Sequence, residues 1–248
     1  MKLAIKILLI FSLATAALTS YAAQTLTFAT EATYPPFVSM TPAGNMVGFD
    51  ADLTRAVCAQ MHATCTLVNA PWDSLIPSLQ IGKYDVLFGG MGITKAREKV
   101  VSFSEPYYNN TSAIVAMTSS HLGDNLTGKI VGVQVGTTFQ KYMQAKYGTT
   151  ATIKPYASDM QALLDLQSGR LNAAFLDTPV AVLWMQDHPN SGMSIIKQIT
   201  DPAFFGSGNG YAVQKGNTAL VNELNQAIDA LKKNGTLAKL QTQYFGKP

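Results

Sequence analysis

The stretch "WDSLIPSLQIGKYDVLFGGMGITKARE" (residues 72–98) decides the fold, because a helical pattern, a short apolar strand and a glycine-rich loop follow one another in it. The strand runs into Gly89, Gly90 and Gly92, and Arg97 stands five residues beyond the last of these glycines. Glycines let a partner approach the bare backbone, and a guanidinium offers a planar set of donors that suits a carboxylate. A tight turn followed by a solvated arginine would explain the same letters, so the rest of the chain must decide.

Short apolar segments alternate with amphipathic segments along most of the chain, which predicts an α/β fold of parallel sheets and crossover helices. The predicted strands are residues 25–30, 65–69, 85–88, 112–117, 129–135, 151–156, 173–177 and 210–213. The predicted helices are residues 50–61, 72–83, 138–147, 159–169, 179–188 and 218–235. Two similar strand–helix sets predict two lobes: residues 23–112 with 210–248, and residues 113–209. Extended hinge strands near 112–117 and 206–213 would connect them.

Polar and aromatic residues follow the predicted strands in both lobes. They are Glu31, Tyr34, the loop 89–97, Thr137, Thr138 and Asp177. In open α/β sheets ligands bind beyond the carboxyl ends of the strands, so these residues are expected to face one cleft. An arginine and the N–H groups of a helix start would bind a carboxylate there, and an aspartate would bind an ammonium. The pattern therefore predicts a site for a zwitterion.

Each of these residues also has an ordinary structural explanation. Thr137 or Thr138 is more often a plain helix cap than a ligand contact. Asp177, which precedes Thr178 and a proline, could equally cap a helix, and Trp72 could belong to the core. These alternatives stay open at the level of sequence.

The first 22 residues predict a cleaved export signal. Lys2 and Lys6 precede an uncharged apolar run that closes on the small residues at 20–22, and the run is too short for a membrane span. A lipid anchor is not expected, because no cysteine lies near the cleavage site. The mature chain is therefore expected to be soluble, monomeric and periplasmic. Without Lys2 and Lys6 it has 16 basic and 15 acidic residues, a balance that predicts no nucleic-acid or membrane partner.

Cys58 and Cys65 are the two cysteines of the chain. In an exported protein a pair this close predicts a disulfide, which would join the end of one helix to the following strand. A metal site is the alternative, but His62 alone provides no recognised ligand spacing.

Five segments resemble the periplasmic amino-acid-binding proteins of ABC importers, the polar amino acid group of solute-binding protein family 3. They are "ATYPPF" (residues 32–37), "GFDADLTRAVC" (48–58), the opening stretch, "VGVQVGTT" (131–138) and "GRLNAAFLD" (169–177). The resemblance extends over essentially the whole mature chain. It is closest to the arginine-binding members, notably in the first strand region, the cysteine pair and residues 131–138.

The resemblance implies a two-lobed type II periplasmic binding protein fold with the ligand in the interlobe cleft. It also implies L-arginine as the ligand and an inner-membrane ABC permease as the partner. No cofactor, metal or catalytic residue is expected. Arg97 would bind the α-carboxylate with amides near Gly92 and Thr138. Asp177 and the Gly90 carbonyl would bind the α-ammonium. Tyr34 and Trp72 would form aromatic walls, and Glu31 would lie at the side-chain end. The predicted ligand-binding set is Glu31, Tyr34, Trp72, Gly90, Met91, Gly92, Arg97, Thr137, Thr138 and Asp177.

The chain departs from this family's usual pattern at two positions. Gly92 stands where members carry serine, threonine or aspartate, so a side-chain contact to the ammonium is missing, and Lys95 replaces a proline. Other readings are a binding protein for lysine, ornithine, histidine or glutamine, a detached sensor domain, and a dehydratase on the same fold. Against the enzyme, the sequence has no well-spaced Ser/His/Asp set.

Overall fold

The computed structural model describes residues 24–109 and 111–246. The predicted export signal, residues 1–22, lies outside these described residues. Within the described ranges no helix has both the length and the apolar character that crossing a membrane requires.

The strands of the described residues alternate with helices for most of the chain. The strands are β1 (Thr25–Thr30), β2 (Thr33–Tyr34), β3 (Val38–Met40), β4 (Met46–Val47), β5 (Thr64–Asn69), β6 (Val86–Leu87), β7 (Val101–Phe103), β8 (Ser112–Met117), β9 (Ile130–Gln134), β10 (Thr152–Tyr156), β11 (Ala173–Asp177), β12 (Met193–Ile199) and β13 (Ala212–Gln214). The helices are α1 (Phe49–Gln60), α2 (Trp72–Gln80), α3 (Lys95–Glu98), α4 (Thr138–Tyr147), α5 (Asp159–Gln167), α6 (Thr178–Asp187), α7 (Pro202–Phe205), α8 (Thr218–Lys233) and α9 (Thr236–Phe245). This alternation confirms the predicted α/β class.

The first sheet has the strand order β5-β1-β6-β13-β7. Its strands β5, β1 and β6 are parallel, whereas β13 runs antiparallel to β6 and β7. Helices pack against this sheet, and four of the six residues of β1 are buried, including Phe28 and Thr30. A small antiparallel sheet of β2, β3 and β4 lies beside this body.

The second sheet has the strand order β10-β9-β11-β8-β12. Its strands β10, β9 and β11 are parallel, and β8 pairs antiparallel with both β11 and β12. Residues 112–117, predicted as a hinge strand, form this interior strand β8, because their apolar side chains are buried between two neighbours. The chain therefore passes between the sheets just before β8, and it returns between β12 and β13.

The returning segment is hydrogen-bonded to the glycine-rich loop. The Ile93 N–H donates to the Gly208 carbonyl (2.8 Å), and the Ser207 N–H donates to the Ile93 carbonyl (3.1 Å). Gly206 has a φ of 86°, and a Cβ built there would lie 1.8 Å from the Ile93 carbonyl oxygen. Only glycine fits this position, so the loop and the return crossover are held against each other.

The predicted disulfide is confirmed: Cys58 in α1 is bonded to Cys65 in β5. The bond joins a helix to the neighbouring edge strand of the first sheet, as expected. In the chain-entropy account a loop this short contributes about 2.5 kcal/mol to stability.

Candidate functional site

A cavity lies where the carboxyl ends of parallel strands from both sheets meet. Its lining residues are Glu31, Tyr34, Trp72, Gly89, Gly90, Gly92, Arg97, Ser112, Gln134, Thr137, Thr138, Phe139, Asp177, Phe205 and Asn209. The structure thus brings together every member of the predicted set except Met91. The Met91 side chain is buried in the hydrophobic core with Leu75 and Leu79, and its carbonyl accepts a hydrogen bond from the Gly210 N–H (3.1 Å).

Arg97 is a buried cation at one end of this cavity. It belongs to the short helix α3, whose cap Thr94 accepts a hydrogen bond from the Arg97 N–H (3.3 Å). The guanidinium donates to the Gly92 carbonyl (3.0 Å) and lies 5.3 Å from the centre of the Trp72 ring. Burial lowers the pKa of Arg97 to about 10, so the group stays charged at neutral pH. None of the ion pairs between described residues includes Arg97, so its charge is available to an anion in the cavity.

The loop glycines make close packing around Arg97 possible. Gly90 has a φ of 69°, and a Cβ built there would lie 2.7 Å from the Tyr34 ring. The Gly90 N–H donates to the buried Asp50 carboxylate (2.9 Å), which fixes the backbone of the loop. At Gly92 a Cβ would lie 3.0 Å from the Phe205 carbonyl oxygen. Gly92, where the chain differs from the family's usual residue, is thus also the position at which the segment returning from β12 comes close to the glycine loop.

Thr137 and Thr138 differ in what their side chains do at the start of α4. The Thr137 hydroxyl donates to the Gln134 carbonyl (2.7 Å) and accepts from the Gln140 N–H (3.1 Å), so it is a helix cap. Thr138 also lines the cavity, and its hydroxyl takes part in no hydrogen bond between described residues. The first N–H groups of α4 carry the partial positive charge of a helix start. Gly136 lies just before this helix start and beside Trp72. A Cβ built on Gly136 would lie 3.7 Å from the indole ring.

Asp177 ends β11 and is buried in the cavity wall. It occupies the cap position of α6, but its side chain makes no capping hydrogen bond to that helix. Burial raises the pKa of Asp177 well above its ordinary value, because a low-dielectric surrounding disfavours the charged form.

Glu31 is the half-buried acid at the other end of the cavity. One carboxylate oxygen accepts from the Thr33 hydroxyl (2.7 Å), and the other accepts from the Gln134 amide. Burial raises the pKa of Glu31, and these two hydrogen bonds partly offset the effect. Nearby, the Tyr34 ring stacks on Phe37 with 5.2 Å between ring centres. This end therefore combines a carboxylate with an aromatic surface.

Five lining residues were absent from the predicted set and from the glycine loop. They are Ser112, Gln134, Phe139, Phe205 and Asn209. Gln134 could have been predicted from the sequence, because it is a polar residue at the end of an otherwise apolar strand. Phe205 belongs to the short helix α7, and its ring packs on Phe139 and Tyr142. No local sequence pattern predicts these contacts, because the residues are far apart in the chain. In the described ranges no cluster of three or more His, Cys, Asp or Glu side chains could hold a metal ion.

Comparison with known proteins gives consistent matches. The family described as bacterial extracellular solute-binding proteins, family 3, matches residues 26–247. ABC transporter arginine-binding protein 1 of Escherichia coli (strain K12) is 43% identical over 225 residues, which cover 90% of this chain and 92% of that protein.

Two solved structures share the whole architecture. One is a periplasmic binding protein of Salmonella typhimurium described as highly specific for arginine. It matches with a TM-score of 0.84 and 38% identity, and the match covers 90% of this chain and 100% of that chain. The other is an ancestral arginine-binding protein bound to glutamine, with a TM-score of 0.81, 35% identity, and 92% and 100% covered.

Proposed function

Because this chain belongs to the bacterial extracellular solute-binding proteins of family 3, we propose that it is the periplasmic amino-acid-binding component of an ABC importer, with L-arginine as its ligand. Family membership also confirms two predictions from sequence. The fold is that of two-lobed type II periplasmic binding proteins, and the chain is a binding protein rather than an enzyme.

The observation that carries the proposal is the distribution of charge in the cavity. Arg97, a buried cation outside every described ion pair, and Glu31, a half-buried acid, line the same cavity. Burying either charge is costly unless an opposite charge reaches it. A zwitterion with a cationic side chain supplies both, a carboxylate for Arg97 and a cation for Glu31.

In the proposed complex the α-carboxylate binds Arg97 and the amides near Gly92 and Thr138. The α-ammonium binds Asp177 and the Gly90 carbonyl. The guanidinium of the ligand reaches Glu31. Because the Trp72 ring already lies against Arg97, Tyr34 supplies the main aromatic surface for the ligand's side chain. A guanidinium is planar and weakly hydrated and stacks on aromatic rings, whereas an ammonium is compact and strongly hydrated, so arginine is favoured over lysine.

The two lobes, residues 23–112 with 210–248 and residues 113–209, would close on the ligand about the two crossovers, one just before β8 at the edge of the predicted hinge 112–117 and the other near 206–213. The cavity takes Arg97 and Glu31 from the first sheet's side and Thr138 and Asp177 from the second, so one ligand bridges both. A ligand that meets all these groups only in the closed state favours closure by that difference in affinity. The exported, monomeric protein would then deliver its ligand to an inner-membrane ABC permease.

A thermal-shift panel of the twenty amino acids and ornithine with the chain from residue 23 onward tests the ligand. A ligand at 100 times its dissociation constant adds about 2.7 kcal/mol to the stability of a folded protein. We expect L-arginine to give the largest shift, followed by lysine, ornithine and histidine, with glutamine weaker. Agmatine, which lacks the α-carboxylate, is the matched control and should give little shift.

Calorimetric titration then ranks the affinities directly. Tighter binding of glutamine or histidine than of arginine would contradict the ligand assignment. Recovery of unchanged ligand after long incubation separates binding from the dehydratase reading.

A further inference from the structure

We propose that Asp159 is a further specificity-determining residue of this site. With Glu31 it would form a pair of carboxylates, one from each side of the cleft, that a ligand cation must neutralise before the cleft can close. This inference rests on the proposed function and extends it, because it assigns a role to a residue outside the cavity lining described above.

The position of Asp159 follows from two hydrogen bonds of Gln134 and from the packing of α5. The Gln134 amide donates both to Glu31 and to the Ala157 carbonyl (3.1 Å), so Glu31 lies beside the segment that leads into α5. Asp159 is the first residue of α5, two positions after Ala157, and α5 packs against β2, which follows Glu31 in the chain. The two carboxyl groups therefore come from different sheets, and they lie close enough for the charge of Glu31 to act on Asp159 behind the cavity wall.

Asp159 is buried at the start of α5, where hydrogen bonds do not compensate its burial. It is 2% exposed, and neither carboxylate oxygen has a hydrogen-bond partner in the described part of the chain. The helix cap is supplied by Ser158, whose hydroxyl accepts from the Gln161 N–H (3.4 Å). A buried carboxyl group without a partner is costly, so its presence beside a ligand cavity points to a group that the ligand supplies.

The groups around this carboxyl pair are mostly negative or neutral. Burial and then Glu31 raise the pKa of Asp159 to about 8, and Asp73 on α2 further raises that of Glu31. The cations near α5 are engaged elsewhere, because Lys154 and Arg170 both pair with Asp165 on its exposed side. Closing the cleft therefore requires either a proton or a cation from the ligand at this end.

The two kinds of ligand differ in which of these they provide. A guanidinium carries its own permanent charge, so closure on arginine needs no added proton. A neutral side chain such as that of glutamine leaves two buried carboxyl groups, and closure then takes up a proton. Because proton uptake becomes less favourable as the pH rises toward 8, the affinity for glutamine should fall over pH 6 to 8 while that for arginine changes less.

The test compares Asp159→Asn with wild type by calorimetric titration of arginine, lysine and glutamine at pH 6 and pH 8. Asp187→Asn, at an exposed acid outside the cavity lining, is the matched control. We expect Asp159→Asn to weaken arginine binding about tenfold or more, which corresponds to the loss of one hydrogen bond to a charged group, and to leave glutamine binding equal or tighter. The pH dependence of glutamine binding should also shrink in this variant.

An unchanged arginine-to-glutamine ratio in Asp159→Asn, alongside a wild type that prefers arginine, would overturn the role of Asp159. If the affinities for all three ligands fall equally, the role is purely structural, and if none of them changes, Asp159 has no part in binding. Asp159→Glu, which keeps the charge, should recover part of the arginine preference and serves if the asparagine variant folds poorly. A wild type that prefers glutamine would instead overturn the proposed ligand, and this is visible without any variant.

Discussion

The two ends of the cavity are built in different ways. At the Arg97 end, the contacts come from backbone groups, loop glycines and the start of α4, and the charge is positive. At the Glu31 end, side chains from both sheets meet through Gln134, and the charge is negative. The first end suits the groups that all amino acids share, and the second suits the group in which they differ. Affinity and selectivity should therefore be separable by mutation.

Arg97→Ala should have the largest effect and should act on every amino acid alike. Truncating one partner of a buried charge pair costs about 2–5 kcal/mol, which corresponds to a loss of affinity of roughly thirtyfold or more. Calorimetry with arginine and glutamine measures it, and Arg97→Lys tests whether charge alone suffices. An affinity within threefold of wild type would exclude this role for Arg97.

Glu31→Gln should have a smaller and selective effect. A hydrogen bond to a charged group contributes about 1.5–3 kcal/mol, so arginine binding should weaken about tenfold or more. Glutamine binding should change much less, because this ligand offers no cation to Glu31. Titration of both ligands against the variant gives the ratio. An equal loss for both ligands would mean that Glu31 supports the fold of the cleft rather than the choice of ligand.

Thr137→Val and Thr138→Val should have the smallest effects, of opposite kinds. Loss of the Thr137 cap should lower the free energy of unfolding by about 1 kcal/mol with little change in affinity. Thr138→Val should leave stability unchanged and weaken binding of all amino acids slightly, because Thr138 lines the cavity and its hydroxyl has no hydrogen bond among the described residues. Denaturant unfolding and calorimetry separate the two, and the reverse assignment would contradict the caps seen here.

Local sequence patterns predicted the elements that carry the Arg97 end. The helix at residues 138–147 agrees at both ends with α4, because Thr137 provides a cap and its apolar side chains repeat at helical spacing. The glycine loop and Arg97 lie within ten residues of each other, so their proximity was readable along the chain.

The Glu31 end could be predicted only in part. Asp159 was expected simply as a helix start, since its burial beside Glu31 arises from the packing of α5 across the cleft. Helix α7 and strand β12 were also missed, and with them Phe205, which lies against Gly92 at the Arg97 end. Four residues of helix leave too short a periodic pattern, and contacts between residues 60 or more positions apart leave none.

The hydrogen bonds between the glycine loop and the return crossover bear on how long a ligand stays bound. Ile93 exchanges backbone hydrogen bonds with Ser207 and Gly208, and Gly206 has no room for any other residue. The loop therefore cannot peel away by itself without breaking these bonds. In the proposed mechanism, a captured amino acid escapes only when the two halves of the molecule part together. The residence time of the ligand is then set by that concerted motion. The rate of release therefore depends on the opening of both halves and not on the local opening of one loop.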